Sequence, residues 1–203
     1  MSVLCAWFVA HGTSCAEVAG FTFGAINVYL TVKEKIWSWP VGIVNAALSA
    51  LVYFQSGLFS DFGLQFVYIA LSIYGWYHWL RGGNQRTELH VTRTSSSTAS
   101  LLTSATLVAW LIMYNITKNL PGVAVPQVDS LLVALSLVAQ WMMTRKLRET
   151  WLVWIVINIG YVVMQEYKGL HLYAILAVVY GALAVLGHIE WTRSYVRTSR
   201  ASS

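Results

Sequence analysis

Trp151-Leu152-Val153-Trp154-Ile155-Val156-Ile157-Asn158-Ile159-Gly160-Tyr161-Val162-Val163-Met164 carries no charged side chain from end to end. Arg145, Lys146 and Arg148 precede it, and Glu166 and Lys168 follow it. Such a segment predicts a helix inside a bilayer, where the backbone must satisfy its own hydrogen bonds. Its polar members are not scattered. Trp151, Trp154, Asn158, Tyr161 and Gln165 recur at offsets 0, 3, 7, 10 and 14, one stripe of a helix, with Leu152, Ile155, Val156 and Ile159 on the other face. Amides buried in hydrocarbon need partners, so the stripe points to a polar passage. Interhelical hydrogen bonding and aromatic anchoring, above all for Trp151, are the alternative.

Outward from this segment the same alternation of apolar run and short charged cluster recurs. Spans are predicted at about Val18–Val32, Trp39–Phe54, Phe62–Leu80, Ala99–Ile116, Val128–Met143, Trp151–Met164 and Leu170–Ile189. The chain of 203 residues is 57% hydrophobic and 10% charged. A soluble domain carries about 25% charged residues, so there is too little polar side chain here to cover a water-facing surface. Several spans fall short of the usual 20 or so residues, which predicts helices that run into their flanks or a locally thinner bilayer. The first eleven residues lack a positively charged start and lead through Glu17 into a full span, so no cleaved signal peptide is expected.

Charge fixes an orientation. Lys33, Lys35, Arg81, Arg86, Arg93, Arg145, Lys146, Arg148, Arg193, Arg197 and Arg200 share one side of a seven-span chain, and only Lys118 and Lys168 lie on the other. The positive-inside rule then places the N-terminus outside and the C-terminus in the cytoplasm. The net charge of +5 sits at helix ends and forms no stripe on a polar domain, which argues against nucleic acid. Arg81 to Ser97 reads as a polar loop, and Arg193 to Ser203 as a basic, frayed tail. Cys5 and Cys15 make no disulfide framework. No CxxC, HExxH, Gly-rich phosphate loop, Ser-His-acid set or metal-ligand set is visible, so no enzyme, cofactor or metal is expected. His78 and His188 read as polar groups at helix ends.

The segment opened on has a counterpart 112 residues earlier. Trp39 matches Trp151, Ile43-Val44 matches Ile155-Val156, Gly57-Leu58 matches Gly169-Leu170, Tyr68 matches Tyr180, Ala70-Leu71 matches Ala182-Leu183, Gly75 matches Gly187 and Trp79 matches Trp191. A gapless Trp, Gly, Tyr, Gly, Trp order predicts a duplication of three spans. The expected fold is an all-α integral membrane protein of seven transmembrane helices in a 3+1+3 arrangement with parallel repeats. Residues 1–98 hold the first repeat and its following loop, 99–126 a linker helix and loop, and 127–203 the second repeat and tail. Secondary transporters place a central site where such halves meet.

The candidate ligand residues are Asn45, Asp61, Gln65, Tyr68, Gln140, Trp154, Asn158 and Tyr180. Asp61, Gln65 and Tyr68 recur at helical offsets 0, 4 and 7, where the second half has Tyr173, Ala177 and Tyr180. Asp61 is read either as a ligand group or as a helix N-cap beside Ser60. Asn45 and Asn158 either face the passage or bond to the broken backbone near Pro40. Asn27 reads as an interhelical contact, Asp129 as a helix-start carboxylate, and Gly20, Gly24, Gly75 and Gly187 as sites of close helix approach. An aromatic cage with amides suits a small, flat, polar or cationic solute, to which Trp and Tyr faces add cation–π attraction.

Trp37-Ser38-Trp39-Pro40-Val41-Gly42-Ile43-Val44-Asn45, Tyr74-Gly75-Trp76-Tyr77-His78-Trp79, Asp129, Ala139-Gln140-Trp141-Met142-Met143, Glu149 through Asn158 and Lys168-Gly169-Leu170 resemble the PnuC family of bacterial vitamin transporters. The likeness runs from about Gly20 to Trp191. It implies two three-helix units joined by a linker helix, a plan related to the SWEET proteins. It implies facilitated diffusion of nicotinamide riboside, trapped inside by a cytoplasmic vitamin kinase. Trp154 and Tyr180 would stack on the ring, Asn45, Gln65, Gln140 and Asn158 would bond to amide or hydroxyl groups, and Asp61 would lie near the cation or ribose. Close relatives imply thiamine or riboflavin as the alternatives, and Gln165 departs from the family pattern. A membrane receptor that binds a vitamin without moving it, and a membrane enzyme, are the other classes considered. A homo-oligomer stays open.

Overall fold

Among the described residues, every predicted span is a helix. The structure, a computed structural model, describes residues 15–55, 59–83, 87–119, 125–169 and 171–201, with side chains at all of these except 15–19, 59–61, 172 and 201. The helices are α1 (Cys15–Val32), α2 (Ser38–Gln55), α3 (Phe59–Arg81), α4 (Ser96–Thr117), α5 (Pro126–Thr144), α6 (Thr150–Tyr167) and α7 (His171–Ala201). Expectations on residues 1–14, Gly57-Leu58, Arg86, Pro121-Gly122, Leu170 and the Asp61 side chain lie outside the described residues. The helices overrun the predicted spans, as their short apolar lengths required. Residues 96–117 and 173–200 are long and apolar enough to cross a membrane on hydropathy alone. The other helices carry polar side chains toward a shared interior, which dilutes that signal. Outward faces stay apolar: Leu51, Phe66, Leu107, Leu111, Val156 and Ile175 are all exposed. Their surface suits lipid rather than water.

One sequence expectation is corrected: the tail Arg193–Ser203, read as frayed, continues α7 as far as Ala201, the last described residue. Trp191 is fully buried, Glu190 pairs with Lys33 at 3.3 Å, and Arg148 lies over the Tyr195 ring. Those contacts hold the helix beyond its apolar stretch. The segment 87–95 is a loop, as its composition predicts, and it is anchored. Val91 is buried, Leu89 N–H donates to Trp79 O, Thr92 N–H donates to Lys146 O, and Arg148 N–H donates to Thr92 O. A strap thus crosses one end of the molecule before Ser95 caps α4 through the Thr98 N–H.

Six helices close a ring. α1 packs on α2, α2 on α3, α3 on α5, α5 on α6, α6 on α7, and α7 returns to α1. α4 packs outside the ring, against α5. No residue of α4 is buried, in keeping with a connector at the lipid face.

Contacts at the basic end recur at the spacing of 112. Glu34 and Lys146 both adopt left-handed backbone, φ 53° and 50°. Lys35 N–H donates to Leu30 O as Leu147 N–H does to Met142 O, and Ser38 N–H to Lys35 O as Thr150 N–H does to Leu147 O. Trp39 meets Trp79 edge-to-face with centroids 5.2 Å apart, and Trp151 meets Trp191 likewise at 5.4 Å. Trp79 Nε1 donates to Met143 O at 3.0 Å, and Trp191 Nε1 to Thr31 O at 3.1 Å. The Trp79 and Trp191 indoles therefore bond reciprocally, each to a helix 64 or 160 residues away in sequence. Gly75 and Gly187 seat these rings: a Cβ at Gly75 would overlap Trp39, and one at Gly187 would overlap Trp151.

Candidate functional site

The ring encloses a cavity of about 500 Å³. α1 contributes Gly24 and Asn27, α2 Trp39, Gly42 and Asn45, α3 Ser72, α5 Gln140 and Met143, α6 the Trp151, Trp154, Asn158, Tyr161 and Gln165 stripe, and α7 Tyr173, Ala177 and Tyr180, among others. The whole polar stripe of α6 reaches the wall, because 3.6-residue periodicity keeps those positions on one face. Among the described residues, no Asp, Glu, Lys or Arg lines it.

Of the eight candidate ligand residues, Asn45, Gln140, Trp154, Asn158 and Tyr180 line this cavity. Gln65 and Tyr68 do not. Gln65 is buried in α3, two helical turns from Ser72 and on its face, so the stripe is shared but the depth differs. Asp61 continues that stripe, and its side chain is outside the described residues. The sequence pattern gave Asn27 as an interhelical contact and did not single out Thr31, yet both line the cavity. The signal available was helical spacing: Gly24, Asn27, Val28 and Thr31 stand at offsets 0, 3, 4 and 7 of α1.

Some polar atoms of the lining residues are buried without protein partners. They are Nε1 of Trp39, Trp151 and Trp154, Oδ1 of Asn45 and Oε1 of Gln165. Groups left unpaired in a low-dielectric site are costly by about 1–3 kcal/mol each, so the wall favours a solute with matching donors and acceptors. Asn158 Nδ2 donates to Trp154 O at 2.7 Å in its own helix, and not to the backbone near Pro40. Gly24 lies against the Tyr180 hydroxyl; a Cβ there would overlap it. That glycine thus serves a side chain of α7 rather than the backbone of a neighbouring helix.

The cavity is closed toward the basic end. Trp39, Trp79, Trp151 and Trp191 form a buried indole layer with Val91 of the strap. Beyond it Lys146 Nζ pairs with Glu34 at 3.0 Å and sits 4.4 Å above the Trp79 ring centroid. On the side away from this layer, a smaller space of about 250 Å³ shares Phe21, Asn45, Tyr53, Tyr173, Leu176 and Tyr180 with the cavity and adds Gly20, Leu48, Ser49 and Val52. Outside the ring's centre, Arg145 Nη1 contacts His78 Nε2 at 2.6 Å and Tyr74 Oη at 3.3 Å, and Asp129, in the first turn of α5, pairs with Lys168.

Comparison with known proteins gives a single direction. Residues 14–193 match the family described as "Nicotinamide mononucleotide transporter". The nicotinamide riboside transporter PnuC of Escherichia coli (strain K12) is 30% identical over 219 residues, covering 95% of this chain and 92% of that protein. The riboflavin/roseoflavin transporter RibM of Streptomyces davaonensis is 27% identical over 188 residues, covering 91% and 88%. The crystal structure of the vitamin B3 transporter PnuC matches with a TM-score of 0.75 at 25% identity, covering 97% of this chain and 88% of that one.

Proposed function

This chain belongs to the nicotinamide mononucleotide transporter (PnuC) family, and on that premise we propose that it carries nicotinamide riboside across the inner membrane by facilitated diffusion. It is a multi-pass membrane transporter, not an enzyme. The observation that carries the choice of substrate is the neutral, aromatic cavity. A mononucleotide brings a phosphate dianion, and among the described residues no Lys or Arg lines the wall to receive it. A flat cation with a carboxamide and hydroxyls suits indole faces and unpaired amides. The cavity volume of about 500 Å³ falls in the usual range for small-molecule sites.

In this reading Trp154 and Tyr180 stack on the ring, and Asn45, Gln140 and Asn158 bond to its amide and hydroxyl groups. Asp61, Gln65 and Tyr68, on the α3 stripe that ends at Ser72, line the approach. The halves are parallel three-helix repeats, 1–98 and 127–203, joined by the linker unit 99–126 in a SWEET-like 3+1+3 plan. Contacts repeated at a spacing of 112 support this. The N-terminus is periplasmic and the C-terminus cytoplasmic, supported by the eleven-to-two split of basic residues. The indole layer is then the cytoplasmic closure, and the cavity faces the periplasm. Phosphorylation by a cytoplasmic kinase traps the vitamin.

The test is uptake of labelled nicotinamide riboside into proteoliposomes, with thiamine and riboflavin as competitors. Saturable entry of the riboside, blocked by excess unlabelled riboside and lost in Asn158→Leu, is expected. Entry of riboflavin or thiamine without the riboside refutes the assignment. Riboflavin is the second reading, favoured by the 27% identity to RibM across 91% of this chain.

A further inference from the structure

The two halves do not furnish the cavity alike. Gly42 and Trp154 are 112 residues apart and both line the wall. They stand on α2 and α6, which lie across the six-helix ring from each other. Where the second half fills the position with an indole, the first half leaves it open, and the amide of Asn27 occupies the space. A Cβ built on Gly42 would stand 3.2 Å from Asn27 Nδ2 and 3.3 Å from Oδ1, so the amide rests on the glycine. The residue 112 beyond Asn27 is Ala139, whose side chain is too small to do the same. The paired substitution is thus Asn27 with Gly42 in one half for Ala139 with Trp154 in the other.

Asn27 is held at its main chain, where its carbonyl accepts from Thr31 Oγ1 at 2.9 Å. Its side chain makes no hydrogen bond among the described residues, while Asn158 has one amide hydrogen committed to Trp154 O. Both halves of the Asn27 amide are therefore open to the cavity, one donor and one acceptor side by side. A primary carboxamide offers the complementary pair.

We propose that Asn27 is a specificity-determining residue that reads the carboxamide of the solute, with Gly42 as the positioning residue that sets its amide and Trp154 as the opposite, stacking wall. The proposal rests on the nicotinamide riboside reading and extends it to the group recognised. The ring stacks on one wall, its amide meets the other, and the solute has one orientation. Nicotinic acid riboside differs by a carboxylate in place of the carboxamide. It has no N–H for Asn27 Oδ1, and its charge meets an acceptor there.

Binding of the two ribosides to the purified protein, measured by calorimetry, tests this. The wild type binds nicotinamide riboside at least about ten-fold more tightly than nicotinic acid riboside, the scale of a lost hydrogen bond with its partner left unpaired. Asn27→Leu brings the two affinities within about two-fold of each other by removing the discriminating pair. Asn27→Asp, which only accepts, widens the ratio beyond the wild type, so opposite shifts in the two variants separate recognition from mere packing. Gly42→Ala, which displaces the amide by a few tenths of an ångström, narrows the ratio and covers the case in which Asn27→Leu does not fold. A ratio unchanged in the folded Asn27 variants, or in Gly42→Ala, overturns the role of Asn27 alone. Binding of neither riboside by the wild type overturns the substrate reading and this proposal together.

Discussion

At the scale of single residues, glycines and one carboxylate make the clearest claims. Gly187 stands where any Cβ would enter the Trp151 ring, and that ring is wedged against Trp191. Overpacking of this kind costs about 1–3 kcal/mol, so Gly187→Ala lowers the midpoint of thermal unfolding in detergent. Gly20, with nothing near its Cβ position, tolerates the same change. Glu149 shows a balance of opposed effects. Burial pushes its carboxyl pKa up, but the bonds from Arg148 Nε and from the Thr94 N–H and hydroxyl outweigh that and hold it below the ordinary 4.5. A depressed folded pKa means stabilisation that is complete above the unfolded value and lost as pH falls through the folded one. Unfolding midpoints scanned downward from pH 6 should therefore drop more steeply in wild type than in Glu149→Gln. Parallel curves refute the linkage.

At the scale of elements, the loops at the basic end act as one unit. The α1–α2 and α5–α6 turns share their backbone hydrogen bonds at a spacing of 112, yet they carry opposite charges at the matched positions, Glu34 and Lys146. If the proposed repeat holds, two groups related by it and in contact with each other lie where the halves meet. Trp79 and Trp191, with centroids 5.9 Å apart, lie there too. The pair is only partly exposed, so breaking one side leaves an under-compensated charge. Lys146→Met is expected to destabilise by about 1–3 kcal/mol. Adding Glu34→Gln should restore part of that loss, because the orphaned charge is removed. Additive losses in this double-mutant cycle would deny the coupling. The strap at 87–95 belongs to the same unit through Thr92 and Lys146. Its role was not legible in Thr94-Ser95-Ser96-Ser97, a composition that signals a loop but says nothing of where the loop lands.

At the scale of the whole molecule, orientation follows from charge and is open to labelling. In a chain with Cys5 and Cys15 replaced by Ser, Lys118→Cys should react with an impermeant maleimide added to intact cells. Ser199→Cys should react only after permeabilisation. The reverse pattern would invert the proposed topology, and with it the assignment of the indole layer as the cytoplasmic closure. Amino-acid order alone determined the seven helices and their polar faces, and it suggested the duplication. Hydrogen-bond satisfaction in hydrocarbon, the 3.6-residue period and gapless Trp and Gly matches are all written along one dimension. Only the tertiary structure decided depth and partnership: Gln65 shares a face with Ser72 but not the cavity wall, the tail of α7 stays helical because Glu190, Trp191 and Tyr195 find contacts on other elements, and Asn27 becomes a wall residue because Gly42 makes room for it. Helical periodicity gives an angle around one axis, whereas a site is made by distances between axes, and those depend on which side chain leaves space for which.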